Sequence, residues 1–344
     1  MPRITVILSA RSYVRFIFAA LLTAAAIVAC TAPSKTPATP SDSPSSSLQR
    51  FEYRRILMGV EARLVLYSPD EPTARAAASA AFTRINALDL ILSDYNPDSE
   101  SMRLCAAAAS PSFTPVSSEL AYCVRTALDL SRASNGAFDI TVGPLTHLWR
   151  AARRSQSHPD PAALAAARLL VNDRTIDLRT SSDNQTLIRL NQPGTLLDFG
   201  GIAKGYAADE ALATLRARGI TRALAALAGD IALGDPPPGK LGWDIAIDWE
   251  NHPDIPRRTL TLSNCGISTS GDSQQFIILG GVRYSHILDP RTGSPLADHR
   301  AVTLVAPSAI LSDALATTLC ILDKPAGLAL AHSFGVTQVY ASDD

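Results

Sequence analysis

A chain of 344 residues is ample for a large core, and length alone sets a soft prior of about two domains. Lys and Arg number 31 against 32 Asp and Glu, for a formal net charge of -1, and no basic stripe runs through the sequence. That balance excludes a protein that tracks phosphates along a nucleic acid strand.

Arg3, Arg11 and Arg15 precede an apolar run from Phe16 to Ala29, too short to span a bilayer comfortably but suited to the core of an export signal. The run ends in Ile27-Val28-Ala29-Cys30, which resembles a bacterial lipobox, where the Cys is lipidated and becomes the mature amino terminus; a plain secretory signal would carry the same small residues. Residues 1–29 are therefore expected to be a lipoprotein-type signal peptide. Residues 31–48 hold four prolines among Ser, Thr and Ala, with almost nothing to bury, so 30–49 should form an extended tether. The expected product is an exported lipoprotein, anchored to a membrane through Cys30 and facing the periplasm. Four further cysteines, Cys105, Cys123, Cys265 and Cys320, include no C-x-x-C pair; export permits three disulfide pairings among them, and buried thiols fit equally well.

Residues 50–344 show no linker-like interruption and no repeat, so one catalytic domain of α+β class is expected. Arg54 to Tyr67 alternates as a strand, with Ile56, Met58, Leu64 and Leu66 apolar. Ala78, Phe82, Ile85, Leu88 and Leu92 then fall at helical spacing, and Ser93 to Asp98 stops that helix, leaving Tyr95 on the terminating loop. A helix over 119–131 ends at Asn135-Gly136, and 138–144 has the look of a short strand and turn. Asp160-Pro161 opens another helix. Strands are expected at 174–178 and 186–190, then a strand, glycine turn and helix from Leu196 to Tyr206. The final third offers strands at 243–248, 258–262, 276–279, 284–288 and 301–305, a helix through Thr318, and a last strand at 336–340.

Three places carry chemistry. Gly200-Gly201-Ile202-Ala203-Lys204-Gly205 stands at a strand-to-helix turn, where backbone N–H groups can approach a diphosphate; tight packing alone would also ask for those glycines. Neither the P-loop nor the dinucleotide G-x-G-x-x-G order is present. Asp313 and Thr317 are four apart and share one helix face, an oxygen pair that suits a hard cation such as Mg²⁺; a surface Asp and a Thr bonded back to its own helix would have the same spacing. His286, in Ser285-His286-Ile287-Leu288-Asp289-Pro290-Arg291-Thr292-Gly293, can accept a proton from an attacking hydroxyl, with Asp289 close enough in sequence to orient it; a polar surface or core histidine near a turn would read the same.

Together these segments resemble the ApbE family, the FAD:protein FMN transferases, from about Met58 to the end of the chain. The blocks stand in family order: Met58-Gly59, Leu92 to Glu100, Gly136 to Leu145, Leu197 to Ala207, Gly229-Asp230-Ile231, Thr269 to Asp272, Ser285 to Gly293, and Asp313 to Thr317. The resemblance implies an ApbE-like fold with mixed or antiparallel sheets flanked by helices. It also implies FAD as substrate, Mg²⁺ as cofactor, AMP as product, and a Thr or Ser hydroxyl of an acceptor redox protein as the group that receives FMN. Residue by residue, it places Met58, Tyr95, Ala137, Phe138, Asp139, Asp198, Lys204 and Leu288 at the FAD, with Tyr95 suited to stacking and Lys204 to the diphosphate. The metal falls to Asp313, Thr317 and the backbone carbonyls of Gly201 and Ala316, and the general base to His286. The chain departs from the family pattern at Val60, Cys105, Arg150 and Ala228, expected at the pocket rim or in packing positions. Two rival readings are a Mg²⁺-dependent FAD pyrophosphatase, in which water replaces the protein hydroxyl, and a tethered flavin-binding protein without turnover.

Overall fold

The computed structural model describes residues 47–247, 249, 257–272 and 275–342; the expected signal peptide, Cys30 and nearly all of the expected tether lie outside them. β1 (Gln49–Leu57) and β2 (Val60–Ser68) lead into α1 (Glu71–Leu92), α2 (Glu100–Ala106), β3 (Thr114–Pro115) and α3 (Ser118–Ala133). A 3₁₀ turn at Ile140–Val142 opens α4 (Gly143–Ser155), followed by α5 (Pro161–Arg168), β4 (Ile176–Thr180), β5 (Thr186–Leu190) and α6 (Ala203–Ala217). Strands then dominate: β6 (Ala223–Leu227), β7 (Asp230–Leu233), β8 (Trp243–Ile247), β9 (Arg258–Leu262), β10 (Cys265–Ser270), β11 (Phe276–Leu279) and β12 (Val282–Ser285). β13 (Leu288–Asp289), β14 (Ser294–Pro295), β15 (Val302–Ala306), α7 (Ala309–Ile321), α8 (Lys324–Ser333) and β16 (Gln338–Ala341) complete the order.

The fold is α+β, built on a seven-stranded sheet in the order β1-β2-β6-β7-β10-β15-β16, antiparallel at every pairing. Its central strands β6, β7 and β15 are buried on both faces, and alternation sorts their side chains between two layers. Ala62, Leu64 and Leu66 of β2 and Ala223, Ala225 and Leu227 of β6 join the main core with residues of α1, α6 and α7. Val65, Leu224, Ala226, Ile267 and Val305 point the other way, against Trp243 of the β8–β9 hairpin. On the helical side α7 comes very near the sheet: Gly266 leaves no room for a Cβ against the Ser308–Ala309 backbone, and Ser268 and Ser312 hydroxyls meet at 2.7 Å. Asp209 of α6 caps α7, accepting from the N–H groups of Ala309 and Ile310 at 2.9 Å each. These contacts fix the helix that carries Asp313 and Thr317 against the helix that carries Lys204.

Several expectations change. The single strand expected over 54–67 is a hairpin, because Met58 and Gly59 both adopt positive φ (51° and 72°) and reverse the chain. The strand expected at 138–144 is a 3₁₀ turn and a helix start: Asp139 accepts from Thr141 N–H at 2.8 Å, and Pro144 stands in the first turn of α4, where its missing N–H does no harm. β6, β7 and β10, at the centre of the sheet, were not expected at all. Cys105, Cys123, Cys265 and Cys320 are free thiols, and among the described residues no helix is long and apolar enough to cross a membrane.

Candidate active site

One cavity of about 1320 Å³ opens where the end of α1, the start of α4, the glycine turn before α6, β7, the β10 end and the segment after β12 meet. Its volume exceeds the roughly 300–1,000 Å³ of a drug-sized ligand site and leaves room for a dinucleotide. Met58, Tyr95, Ala137, Phe138, Asp139 and Asp198 line it. So do Gly201, Lys204, His286, Leu288, Asp313 and Thr317. Ala316 is fully buried inside α7 and lies off the cavity wall.

The floor is electrostatic. Lys204 Nζ stands 2.6 Å from Asp230 and 3.6 Å from Asp313, and both carboxylates are almost wholly buried. Burial disfavours the Lys204 charge, but the two carboxylates outweigh it and hold the ammonium above its ordinary pKa. Asp313 moves against its ion pair: burial and then the Asp230 charge push its pKa up, despite Lys204 and the Gly205 N–H, which donates to it at 2.9 Å. The geometry explains the mismatch, since one ammonium serves two carboxylates and sits closer to Asp230. Asp313 is left short of positive charge.

That shortage tests whether a cation fits. Thr317 is one turn along from Asp313, its hydroxyl 3.1 Å from Ser270 Oγ, and Gly201 packs so near that a Cβ there would stand 3.5 Å from Thr317 Oγ1. Carboxylate and hydroxyl thus share one face of α7 with the Gly201 backbone beside the hydroxyl, and oxygen donors of these kinds suit Mg²⁺. Among the described residues no cluster of three or more His, Cys, Asp or Glu is placed to hold a metal.

His286 follows directly on β12. Its Nδ1 lies 3.2 Å from the Gln275 carbonyl, which can only accept, so the ring proton sits on Nδ1 and Nε2 keeps its lone pair. Seclusion within the cleft, then the charges of Lys204 and Arg153, bring its pKa down to about 4 against the pull of the Gln275 carbonyl. The ring is open to solvent by surface area yet walled on its flanks, as befits a group facing into a concavity. Asp289, expected to orient the imidazole, instead grips Arg291 through its N–H, Nε and Nη2 at 2.8–2.9 Å and closes the Asp289–Gly293 turn. The orienting group is a backbone carbonyl, invisible to any reading of side chains.

On the opposite wall the positions differ in freedom. Asp139 spends one oxygen on Thr141 N–H and Oγ1, at 2.8 and 2.7 Å, and burial raises its pKa. Asp198 takes the Gly200 N–H on one oxygen at 2.7 Å, shaping the glycine turn, and Arg150 on the other at 2.9 Å. Met58 holds a positive φ at the hairpin tip, a strained conformation of the sort that persists at functional walls. Leu288 is buried against Leu145 and Ala167 and so anchors the His286 segment to α4 and α5.

Sequence reasoning missed Asp230, Gln275, Arg153, Trp249 and the placement of Arg150, all on the cavity wall. Asp230 had a signal, since it stands in the Gly229-Asp230-Ile231 block. Arg150 is not a rim residue: its guanidinium bridges Asp94 and Asp198 beneath Tyr95. Of the other departures, Val60 and Ala228 line the cavity and Cys105 packs in the core. Cys105 is buried and accepts from Leu197 N–H, and Ala228 occupies the β6–β7 turn with φ 51°.

Known proteins agree with this architecture. A FAD:protein FMN transferase of Klebsiella pneumoniae (strain 342) is 32% identical over 316 residues, covering 89% of this chain and 87% of its own length. One of Treponema pallidum (strain Nichols) is 33% identical over 310 residues, with 85% of each chain covered. Among solved structures, the apo flavinyl transferase ApbE of Pseudomonas stutzeri superposes with a TM-score of 0.73 at 30% identity, over 86% of this chain and 90% of that one. The flavin transferase ApbE of Vibrio cholerae gives 0.71 at 25% identity, over 86% and 97%. The family model described as "ApbE family" matches residues 58–340, and the chain belongs to that family.

Proposed function

We propose that the protein is a transferase that moves the FMN moiety of FAD to a Thr or Ser hydroxyl of an acceptor redox protein and releases AMP, with Mg²⁺ as cofactor. The observation that carries this reading is the convergence, in one cavity of dinucleotide size, of a proton-free Nε2 on His286 and an undercompensated carboxylate on Asp313. Asp313, Thr317 and the Gly201 backbone would hold Mg²⁺, with the Ala316 carbonyl as the remaining member of the set that the family resemblance implies. Bound there, the ion would supply positive charge against the diphosphate as its P–O bond breaks.

The chain's own residues do the rest. Lys204 places an ammonium at the diphosphate end, and Arg153 adds a second cation on the same wall. Tyr95 offers a ring face for stacking. His286 takes the proton of the acceptor hydroxyl on Nε2 as the new O–P bond forms and the bond to AMP breaks. A pKa near 4 makes the free imidazole neutral but weakly basic; anionic diphosphate arriving beside it raises that pKa toward the working range.

One observation favours the hydrolytic rival as a side reaction: His286 is open to solvent, so water can reach the same phosphorus when no acceptor is docked. We also propose that the domain works outside the cytoplasm as a lipoprotein tethered through Cys30; the support is the basic, apolar and Cys-terminated pattern of residues 1–30. The test mixes the protein with FAD, Mg²⁺ and a periplasmic redox subunit bearing a Ser/Thr acceptor motif. Flavin covalently attached to the acceptor, seen by mass spectrometry and lost when Asp313 is replaced by Ala, supports the reading. No attached flavin despite FAD binding contradicts it.

A further inference from the structure

Tyr95 lies on the Ser93–Asp98 loop after α1 and keeps 72% of its surface exposed, an arrangement that by itself would leave a large aromatic side chain free to swing. It is not free, because the Arg150 guanidinium lies over its ring at 4.4 Å from the centroid. Arg150 itself has no freedom either. From the middle of α4 it reaches Asp94, on the same loop as Tyr95, and Asp198, at the head of the glycine turn, and these two carboxylates keep only 8% and 6% of their side-chain surface exposed. His147, one turn earlier on α4, approaches Asp94 from the other side at 3.5 Å. Asp198 in turn holds the Gly200 N–H at 2.7 Å, beside Gly201 and Lys204. A continuous set of contacts therefore runs from an exposed aromatic face to the turn that borders the cation-poor carboxylate.

We propose that Arg150 is a positioning residue that holds Tyr95 as a preformed stacking wall for a ring of FAD and ties that wall to the glycine turn at the diphosphate end of the cavity. The proposal rests on FAD being the ligand. One ring face of Tyr95 is taken by Arg150, which leaves the other for a flavin or adenine held in the cavity that Tyr95 helps to line. A planar guanidinium can stack on the ring while donating in plane to two carboxylates; an ammonium cannot do both. Because the pairs are buried, salt screens them little, and the wall stays in place before the ligand arrives. Ordering cost that would otherwise fall on binding is met within the folded protein.

The test is FAD binding by the intact chain without added acceptor, followed by flavin fluorescence, for the parent, Arg150→Lys, Tyr95→Leu and the double variant, each checked by thermal melting. Arg150→Lys keeps a positive charge between Asp94 and Asp198 and so avoids the two unpaired buried carboxylates that could unfold Arg150→Met. The expected result is a roughly 3- to 30-fold higher dissociation constant for Arg150→Lys, the range spanned by cation–π contacts from exposed to desolvated sites. In the Tyr95→Leu background the same change should have less than about a 2-fold effect, since the ring it positions is gone. Undiminished affinity in Arg150→Lys, or an equal loss with and without Tyr95, would overturn the proposal while leaving the transferase reading intact. A parent that binds no FAD would overturn both.

Discussion

Gly205 sits inside α6, where glycine costs about 1 kcal/mol relative to alanine, so its presence there asks for a reason. The reason is α7. A Cβ on Gly205 would run into the Ala309 carbonyl and stand 2.7 Å from both the Ala309 carbonyl carbon and the Asp313 Cβ. Those neighbours are backbone and a buried side chain, so Gly205→Ala must open the α6–α7 contact by about 1 Å to restore ordinary packing. Overpacking of this kind costs about 1–3 kcal/mol; the helix-propensity gain offsets about 1, leaving a net loss of about 0–2 kcal/mol. The functional loss should be larger. The same displacement lengthens the 2.9 Å bond from Gly205 N–H to Asp313 and carries that carboxylate, with Thr317 on the same helix, away from Lys204 and the glycine turn, and a misplacement of about 1 Å in a reacting assembly costs on the order of 10²-fold. The assay pairs urea unfolding of Gly205→Ala with its rate of flavin transfer at saturating FAD and across a Mg²⁺ titration. A variant that keeps parental stability and parental rate would show that the close approach of the two helices does not set the Asp313 position.

Three further outcomes follow from single groups. His286→Gln should keep FAD affinity and slow transfer by roughly 10²- to 10⁴-fold; because the His286 pKa is depressed to about 4, its neutral form contributes stability above the unfolded value of 6.5, and that contribution is lost as pH falls from there toward 4. Parent and variant melts compared over that window should therefore diverge, with the parent losing ground at low pH. Asp209 behaves in the opposite sense: burial raises its pKa to about 6 against the capping N–H groups of Ala309 and Ile310, so its contribution is greatest below 3.8 and is lost as pH rises through 6. Denaturation of the parent relative to Asp209→Asn should lose roughly 2–3 kcal/mol across that interval. Ala228→Gly relieves a positive φ that costs an alanine about 1 kcal/mol, and urea unfolding should show the unfolding free energy raised by roughly 0.5 kcal/mol.

Legibility in the sequence followed burial pattern. β9, β11 and β5 were expected at their observed limits because one face of each is at least partly solvated and alternation survives. β6, Ala-Leu-Ala-Ala-Leu, is buried at every position, so it has no alternation to show and resembles a helix fragment as readily as a strand. The β1–β2 hairpin was hidden because a Met occupied the left-handed turn position where Asn, Asp or Gly would have announced it. In the site, Asp313 and Thr317 were readable because helical spacing alone puts them on one face. The Lys204–Asp230 pair spans 26 residues and the Arg150–Asp198 pair 48, distances over which only the folded chain brings charges together. The Gln275 carbonyl that sets the His286 tautomer carries no side-chain signature at all.

The central claim is that a protein hydroxyl, rather than water, takes the phosphoryl group when His286 accepts its proton. The direct measurement is the molar ratio of AMP released to flavin covalently bound, taken from one reaction containing the protein, FAD, Mg²⁺ and a stoichiometric Ser/Thr acceptor. A ratio near unity that collapses on both sides when His286 is replaced by Gln is the predicted result. AMP accumulating without bound flavin, at a rate indifferent to the acceptor, would contradict it.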